Sequence, residues 1–168
     1  MEFQGIGSKF TAASVDALAV VVFKDDKATD GILKELDALT GGQVADTIKA
    51  KEINGGQGET ALIRFSAKGV KATRLLLVGC GERDKYKASS VAIASGTAAR
   101  TLRKLNLKSF AFDARIDGDA VEIAQNAVQG VITSQFELDK YKTKDKNTKA
   151  LSKFVVHVDG GKPADLKK

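Results

Sequence analysis

The sequence is poor in the residues that build covalent or metal-held folds. Cys80 is the single cysteine among 168 residues, so no intramolecular disulfide can form. This usage suits a reducing compartment such as the cytosol. His157 is the single histidine, and one histidine with one cysteine cannot supply the ligand spacing of a zinc site. Stability must then come from a hydrophobic core, and a chain of this length can bury about 70% of the surface exposed on unfolding.

Long apolar runs are missing as well. The longest runs, at residues 17–23 and 75–78, are far shorter than the ~20 residues of a helix that crosses a bilayer. The first four residues, MEFQ, do not begin a basic segment followed by an apolar one, so the sequence predicts no secretory signal. We therefore expect a cytoplasmic protein without a membrane partner.

Positive charge is concentrated at one end of the chain. The net charge is +6, but residues 1–139 contain 18 basic and 18 acidic side chains, which cancel. Residues 140–168 contain nine lysines against Asp145, Asp159 and Asp165. The sequence thus indicates a neutral body followed by a basic carboxyl-terminal segment.

Hydrophobic periodicity predicts strands that alternate with helices. The predicted strands 59–67 and 73–80 are about five residues apart, too few for a parallel crossover, so we expect this pair to be antiparallel. The remaining order favours an α/β three-layer sandwich, with a mixed but mostly parallel sheet flanked by helices. The predicted strands are 3–7, 15–24, 59–67, 73–80, 108–113 and 151–158, and the predicted helices are about 30–40, 43–50, 90–105 and 120–132.

Two helix starts carry capping signals. Ser89 or Ser90 is predicted to cap the third helix. Asp119 and Glu122 have the spacing of a capping box before the fourth helix. The apolar side predicted for the fourth helix consists of Val121, Ala124, Val128, Val131 and Ile132.

The turn Gly79-Cys80-Gly81 resembles the start of a dinucleotide-binding fingerprint, but Asp84 stands where the third glycine belongs. Glu82 and Asp84 would also repel a pyrophosphate, so we favour a tight strand-end turn. Cys80 is interpreted as a small buried side chain, because a nucleophile would need His157 as its base and nothing in the sequence brings the two together.

Acidic pairs also occur at element boundaries. Asp25 and Asp26 form one such pair, and Asp117 and Asp119 form another. Solvation and helix capping account for both pairs, so the sequence predicts no catalytic carboxylates. We expect no catalytic, cofactor-binding or metal-binding residue in this chain.

A lysine-rich stretch follows residue 139. A solvated loop is the usual role of such a stretch, and the alternative is contact with phosphates or with an acidic partner surface. The stretch contains no arginine, so any DNA contact would involve the backbone and be sensitive to salt. The candidate polyanion-binding residues are Lys140, Lys142, Lys144, Lys146 and Lys149.

Several motifs, in this order, resemble the amino-terminal domain of the cytosolic leucyl aminopeptidases, a metallopeptidase family. Cys80 departs from the pattern, because the family usually has a hydrophobic residue between the two glycines. The motifs are VDALAVVVF at 15–23, GET at 58–60, RLLLVGCGE at 74–82, GTAAR at 96–100, AVQG at 127–130 and FELDKYKTK at 136–144.

The resemblance implies a domain with macro-domain-like architecture over residues 1–159, and a tail or linker over 160–168 toward a catalytic domain absent from this chain. It also implies that this domain is not catalytic and that its role is assembly or regulation. The parent protein would be a metallo-aminopeptidase that removes amino-terminal residues, Leu preferred, from peptides. That absent domain would hold two divalent metals (zinc, manganese or magnesium), and the full-length protein would form a homohexamer.

A second interpretation belongs to a different class. The chain could be a stand-alone macro-like module that binds a nucleotide, ADP-ribose or nucleic acid, engaging loops near residues 79–82. The acidic loop and the missing third glycine favour the aminopeptidase domain over this alternative.

Overall fold

Six strands form one sheet in the computed structural model, which describes residues 1–136 and 149–158. The strand order is β1-β6-β5-β2-β4-β3. Neighbouring strands are parallel except β3 and β4, which pair antiparallel, as their short connection predicted. The strands are β1 (Glu2–Ile6), β2 (Ala17–Val22), β3 (Thr60–Arg64), β4 (Arg74–Gly79), β5 (Ser109–Asp113) and β6 (Lys153–His157).

Helices cover both faces of the sheet. One core contains the buried side chains of α1 and α2, and a second core contains those of α3 and α4. This arrangement confirms the predicted three-layer α/β sandwich with a mixed, mostly parallel sheet. The helices are α1 (Gly31–Leu39), α2 (Gln43–Lys49), α3 (Ala88–Lys104) and α4 (Ala120–Gln135).

The central strand β2 shows why the sequence forms a double-sided core. All six of its residues are buried, and alternate side chains point into opposite cores. Ala19 and Val21 face α3 and α4, whereas Leu18 and Val20 face α1 and α2. A strand buried on both faces must be apolar at every position, which explains the unbroken run in the sequence.

Two local predictions were wrong. Helix α3 begins at Ala88 with Lys87 at the N-cap, so neither Ser89 nor Ser90 is the cap. The Ser90 hydroxyl instead accepts a hydrogen bond of 3.2 Å from the Lys87 amide, from inside the first turn. The second wrong prediction is the apolar side of α4. The buried side of this helix is turned away from the predicted one, since Ile132 of the predicted side is 54% exposed. The side chains that α4 buries are those of Ile123, Ala124, Ala127, Val131 and Ser134.

Helices α3 and α4 lie very close together. A Cβ atom added to Gly130 would lie 2.0 Å from the Ala92 carbonyl oxygen, so only glycine fits there. The Ser95 hydroxyl donates a 2.8 Å hydrogen bond to the Ala127 carbonyl across the same contact. No helix among residues 1–136 and 149–158 combines the length and apolar character of a membrane span.

The parallel strands β2, β4, β5 and β6 end at the same edge of the sheet. The loops that follow them therefore meet there, at residues 23–30, 80–87 and 114–119 and at Val158. In open α/β sheets this edge is where ligands usually bind.

Candidate functional site

A cleft of about 420 Å³ opens at the carboxyl ends of β5 and β6. Its volume lies within the range of ~300–1,000 Å³ typical of small-molecule sites. Charged side chains and isoleucines share its wall, so it offers both polar and apolar contacts. The side chains that matter for its chemistry are those of Lys9, Ile32, Glu35, Arg83, Asp113, Arg115, Ile116, Asp117, Ile123 and His157.

Three charged side chains from three loops meet beside this cleft, and Arg83 and Arg115 also line it. Asp26 forms ion pairs with Arg115 and Arg83, and Arg83 Nη2 lies 3.0 Å from Asp26 Oδ1. The side chains of Asp26 and Arg115 are only 5% and 8% exposed, whereas that of Arg83 is 58% exposed. The Asp26 carboxylate also accepts a 2.8 Å hydrogen bond from the Phe23 amide. One carboxylate between two guanidinium groups leaves a net charge of one positive unit.

The Phe23 ring supports both arginines. The Arg83 guanidinium carbon lies 4.4 Å from the ring centroid, and that of Arg115 lies 5.5 Å away. Tyr86 packs edge-on against the same ring, with centroids 5.1 Å apart. Contact between a cation and an aromatic face contributes about 0.5–1 kcal/mol when exposed and more when desolvated. The ring therefore holds the exposed Arg83 in a defined position.

A histidine–carboxylate pair lies beside these arginines. His157 Nδ1 and Asp113 Oδ2 are 2.8 Å apart, and the two side chains are 12% and 11% exposed. Asp113 Oδ1 also accepts a 2.8 Å hydrogen bond from the Arg115 amide. Phe10 packs against the imidazole, with ring centroids 5.8 Å apart. A carboxylate bonded to one ring nitrogen fixes the orientation of the imidazole.

The rim of the cleft carries one neutralised pair and one unpaired acid. Glu35 lies 3.4 Å from the Lys9 ammonium and accepts a 3.0 Å hydrogen bond from the Thr11 hydroxyl. Asp117 is exposed and has no ion-pair or hydrogen-bond partner within residues 1–136 and 149–158.

A second cavity of about 280 Å³ adjoins the turn at residues 79–82. The amides of Gly79, Cys80 and Gly81 donate to the carbonyl oxygens of Glu59, Val22 and Gly55 at 2.7–3.0 Å. These three backbone donors are already used, so none of them is free for a phosphate. A Cβ atom added to Gly79 would lie 2.1 Å from the Gly56 carbonyl oxygen. Close packing of the two backbone segments therefore explains why residue 79 is a glycine.

Burial controls the chemistry of this second cavity. It raises the pKa of the Cys80 thiol to about 12, so the thiol stays protonated at neutral pH and is a poor nucleophile. Burial, followed by the neighbouring Cys80 and Asp113, also raises the pKa of Tyr86. Cys80 and His157 line different cavities and do not form a catalytic pair.

The polyanion candidates lie away from the cleft or outside the described part of the chain. Lys140, Lys142, Lys144 and Lys146 are outside the described residues. The Lys149 ammonium donates a 2.8 Å hydrogen bond to the Lys104 carbonyl at the end of α3. A cation there also offsets the negative end of the helix dipole.

Sequence reasoning missed the cluster of Asp26, Arg83 and Arg115 beside the cleft. The sequence predicts a solvated or capping role for Asp26, yet its side chain is buried between two arginines. Arg83 and Arg115 lie 57 and 89 residues from Asp26 in sequence, so no local pattern links them. The one local signal was the doubled acid at 25–26, which does not show which carboxylate points inward.

The family resemblance implies two divalent metals in a catalytic domain that is not part of this chain. Within residues 1–136 and 149–158 no three His, Cys, Asp or Glu side chains cluster as metal ligands. Asp113 and His157 form a pair, and within those same residues no third His, Cys, Asp or Glu completes a cluster with them.

Comparisons with known proteins point to one family. The model of the cytosol aminopeptidase family, N-terminal domain, matches residues 19–145. A relative from Solibacter usitatus, described as a probable cytosol aminopeptidase, is 34% identical over 144 residues. That match covers 86% of this chain but only 27% of the relative, so the chain spans about a quarter of its length.

Solved structures with the same fold include an aminopeptidase and a macrodomain. A mutant of tomato leucine aminopeptidase superposes with a TM-score of 0.80 at 17% identity, covering 99% of this chain and 35% of that one. A Trypanosoma brucei macrodomain superposes with a TM-score of 0.70 at 11% identity, covering 99% of this chain and 65% of that one. At these identities the similarity establishes the fold alone.

Proposed function

The chain belongs to the cytosol aminopeptidase family, whose N-terminal domain it matches, and from this premise we propose that it is the non-catalytic domain of an aminopeptidase. The full-length protein would remove amino-terminal residues, Leu preferred, from peptides. The observation that carries this proposal is the family match over residues 19–145. That range contains most of β2, all of β3, β4 and β5, and all four helices.

The domain's role in this proposal is assembly or regulation. Residues 1–159 form the domain, and 160–168 lead toward a catalytic domain that holds two divalent metals. The full-length protein forms a homohexamer in the cytoplasm.

Activity assays test the non-catalytic assignment. We expect no hydrolysis of leucine amide by the purified chain with added manganese. Measurable hydrolysis that copurifies with the chain would contradict the assignment.

Complementation tests the role in assembly. The Solibacter relative would be truncated to remove its N-terminal region, and this chain would be supplied separately. We expect light scattering to show association and leucine amide hydrolysis to increase. The Trypanosoma macrodomain is the matched control, because it shares the fold at 11% identity. Equal effects of the two domains, or no effect of either, would contradict a family-specific role.

A nucleotide-binding module is a second candidate, and the cleft at the carboxyl ends of the parallel strands favours it. It predicts an increase in melting temperature with ADP-ribose. An unchanged melting temperature across a panel of nucleotides would discard it.

A further inference from the structure

Arg83 presents unused hydrogen-bond donors to the cleft. Its Nη2 bonds to Asp26, while its Nε and Nη1 groups have no partner within residues 1–136 and 149–158. The guanidinium stacks on Phe23 and its side chain is 58% exposed, so it is held in place and still accessible. Guanidinium N–H groups without a partner can donate charge-assisted hydrogen bonds to a carboxylate.

An unpaired acid and an apolar wall complete the cleft. Asp117 lines the same cleft, is exposed and has no partner among the described residues, so its carboxylate can accept a bond from a ligand ammonium. Ile32, Ile116 and Ile123 line the cleft as well. The lining therefore combines one available cationic group, one available anionic group and an aliphatic surface.

We propose that this cleft binds a zwitterionic α-amino acid or short peptide with an apolar side chain. Arg83 binds the ligand carboxylate, Asp117 binds its ammonium group, and the isoleucines contact its side chain. The inference rests on the proposed function, because free amino acids and shortened peptides are the products of an aminopeptidase. The cleft would thus be a product-binding site on the non-catalytic domain.

The charges of the cleft favour a zwitterion over a nucleotide. The lining side chains include three cations, Lys9, Arg83 and Arg115, and three acids, Glu35, Asp113 and Asp117. Glu35 is neutralised by Lys9, and Asp113 is bonded to His157 and to the Arg115 amide. A phosphate would gain the Arg83 contact but would also be repelled by Asp117, whereas a zwitterion satisfies both groups.

Ligand analogues measured by calorimetry on the purified chain test the two contacts separately. L-leucine is the reference ligand, its methyl ester lacks the carboxylate charge, and N-acetyl-leucine lacks the ammonium group. We expect both analogues to bind about tenfold more weakly than leucine, since a charge-assisted hydrogen bond is lost in each case.

Two variants assign these losses to residues. Arg83→Gln should bind leucine about tenfold more weakly and lose the preference for leucine over its methyl ester. Asp117→Asn should lose the preference for leucine over N-acetyl-leucine. Lys85→Gln and Asp25→Asn are the matched controls, because each removes the same charge outside the cleft, and they should bind like the unmodified chain. Melting temperatures check that Arg83→Gln stays folded, as Arg115 still neutralises Asp26.

Several outcomes would overturn the proposal. They are no binding of leucine or of leucyl-leucine at millimolar concentration, equal affinity for leucine and both analogues, or binding of AMP or ADP-ribose that depends on Arg83 in place of leucine. These measurements use the isolated chain and no peptidase. The two proposals can therefore fail separately. If complementation fails but leucine binds, the role in assembly is contradicted and the ligand site is supported. If leucine does not bind but complementation succeeds, the ligand site is contradicted and the role in assembly is supported.

Discussion

Asp26 and Asp25 are adjacent acids with very different surroundings. The Asp26 side chain is 5% exposed and neutralises Arg115, whose own side chain is 8% exposed. Asp25 is exposed. The contrast shows that burial and partners, not residue type, decide what each carboxylate contributes.

Asp26→Ala should destabilise the fold by about 3–5 kcal/mol, because it leaves Arg115 buried without its counter-ion and the Phe23 amide without its acceptor. Asp25→Ala should stay within about 0.5 kcal/mol of the unmodified chain. Urea unfolding of both variants measures the difference. Equal losses of stability would show that the Asp26 pairs contribute nothing beyond an ordinary surface charge.

Cys80 provides a prediction on pH. Burial raises the pKa of its thiol to about 12 in the fold, whereas an exposed cysteine has a pKa of about 8.5. Above pH ~8.5 the unfolded chain loses this proton while the folded chain keeps it, so stability should fall as the pH rises toward 12. Tyr86 acts in the same direction, since its pKa is also raised.

Two measurements check this. Urea unfolding between pH 8 and 11 should show a smaller decline for Cys80→Ala than for the unmodified chain. At pH 8 iodoacetamide should modify the folded chain on the order of a hundredfold more slowly than the urea-unfolded chain. Rapid modification of the folded chain would show that the thiol is not shielded as the structure indicates.

At the scale of elements, the contact between α3 and α4 depends on glycine. Replacing a glycine within a helix by alanine normally gains about 1 kcal/mol from helix propensity. At Gly130 the added Cβ would lie 2.0 Å from the Ala92 oxygen and 2.3 Å from the Ser95 hydroxyl. At Gly96 it would lie 3.0 Å from the Gly130 oxygen, a closer approach than usual that requires a shift of only a few tenths of an ångström.

Gly130→Ala should therefore destabilise the fold by about 1–3 kcal/mol, because separating the helices costs more than propensity gains. Gly96→Ala should change stability by less than about 1 kcal/mol, since the two effects nearly cancel. Thermal unfolding measures both variants. A stabilised Gly130→Ala variant would show that α3 and α4 are not packed this closely.

The N-caps of α4 and α1 show how far a local sequence pattern predicts the start of a helix. Asp119 caps α4, and its carboxylate accepts hydrogen bonds from the Val121 and Glu122 amides at 2.8 and 3.0 Å. This confirms Asp119 as the cap, but within the described residues the Glu122 side chain makes no return bond to the Asp119 amide, so the predicted capping box is only half formed. Asp30 stands at the N-cap of α1 without such a bond. Local patterns locate a helix start, but loop geometry decides whether the side chain closes the cap.

At the scale of the molecule, positive charge is distributed unevenly along the chain. Residues 1–139 are neutral, and the whole positive excess lies in 140–168. Lys149 donates a hydrogen bond to the last turn of α3. The other four candidate polyanion-binding residues, Lys140, Lys142, Lys144 and Lys146, lie outside the described residues. Contact with DNA through this segment stays a prediction.

The chain should bind heparin at low salt and elute at modest salt, because a few lysine–phosphate or lysine–sulfate contacts are strongly screened. Replacing Lys140, Lys142, Lys144 and Lys146 together by Gln should abolish retention. The matched control replaces Lys34, Lys49, Lys68 and Lys71 by Gln, which removes the same charge from the neutral body. Equal loss in both variants would assign retention to net charge instead of to this segment.

The sequence by itself determined the order of elements, the antiparallel β3–β4 pair and the buried run of β2. Each of these depends on periodicity or on connection length, which are local properties of the chain. Only the tertiary structure brought Asp26, Arg83 and Arg115 together, across separations of 57 and 89 residues. The physical reason is that parallel strands end at one edge of the sheet, so their loops converge whatever their distance in sequence.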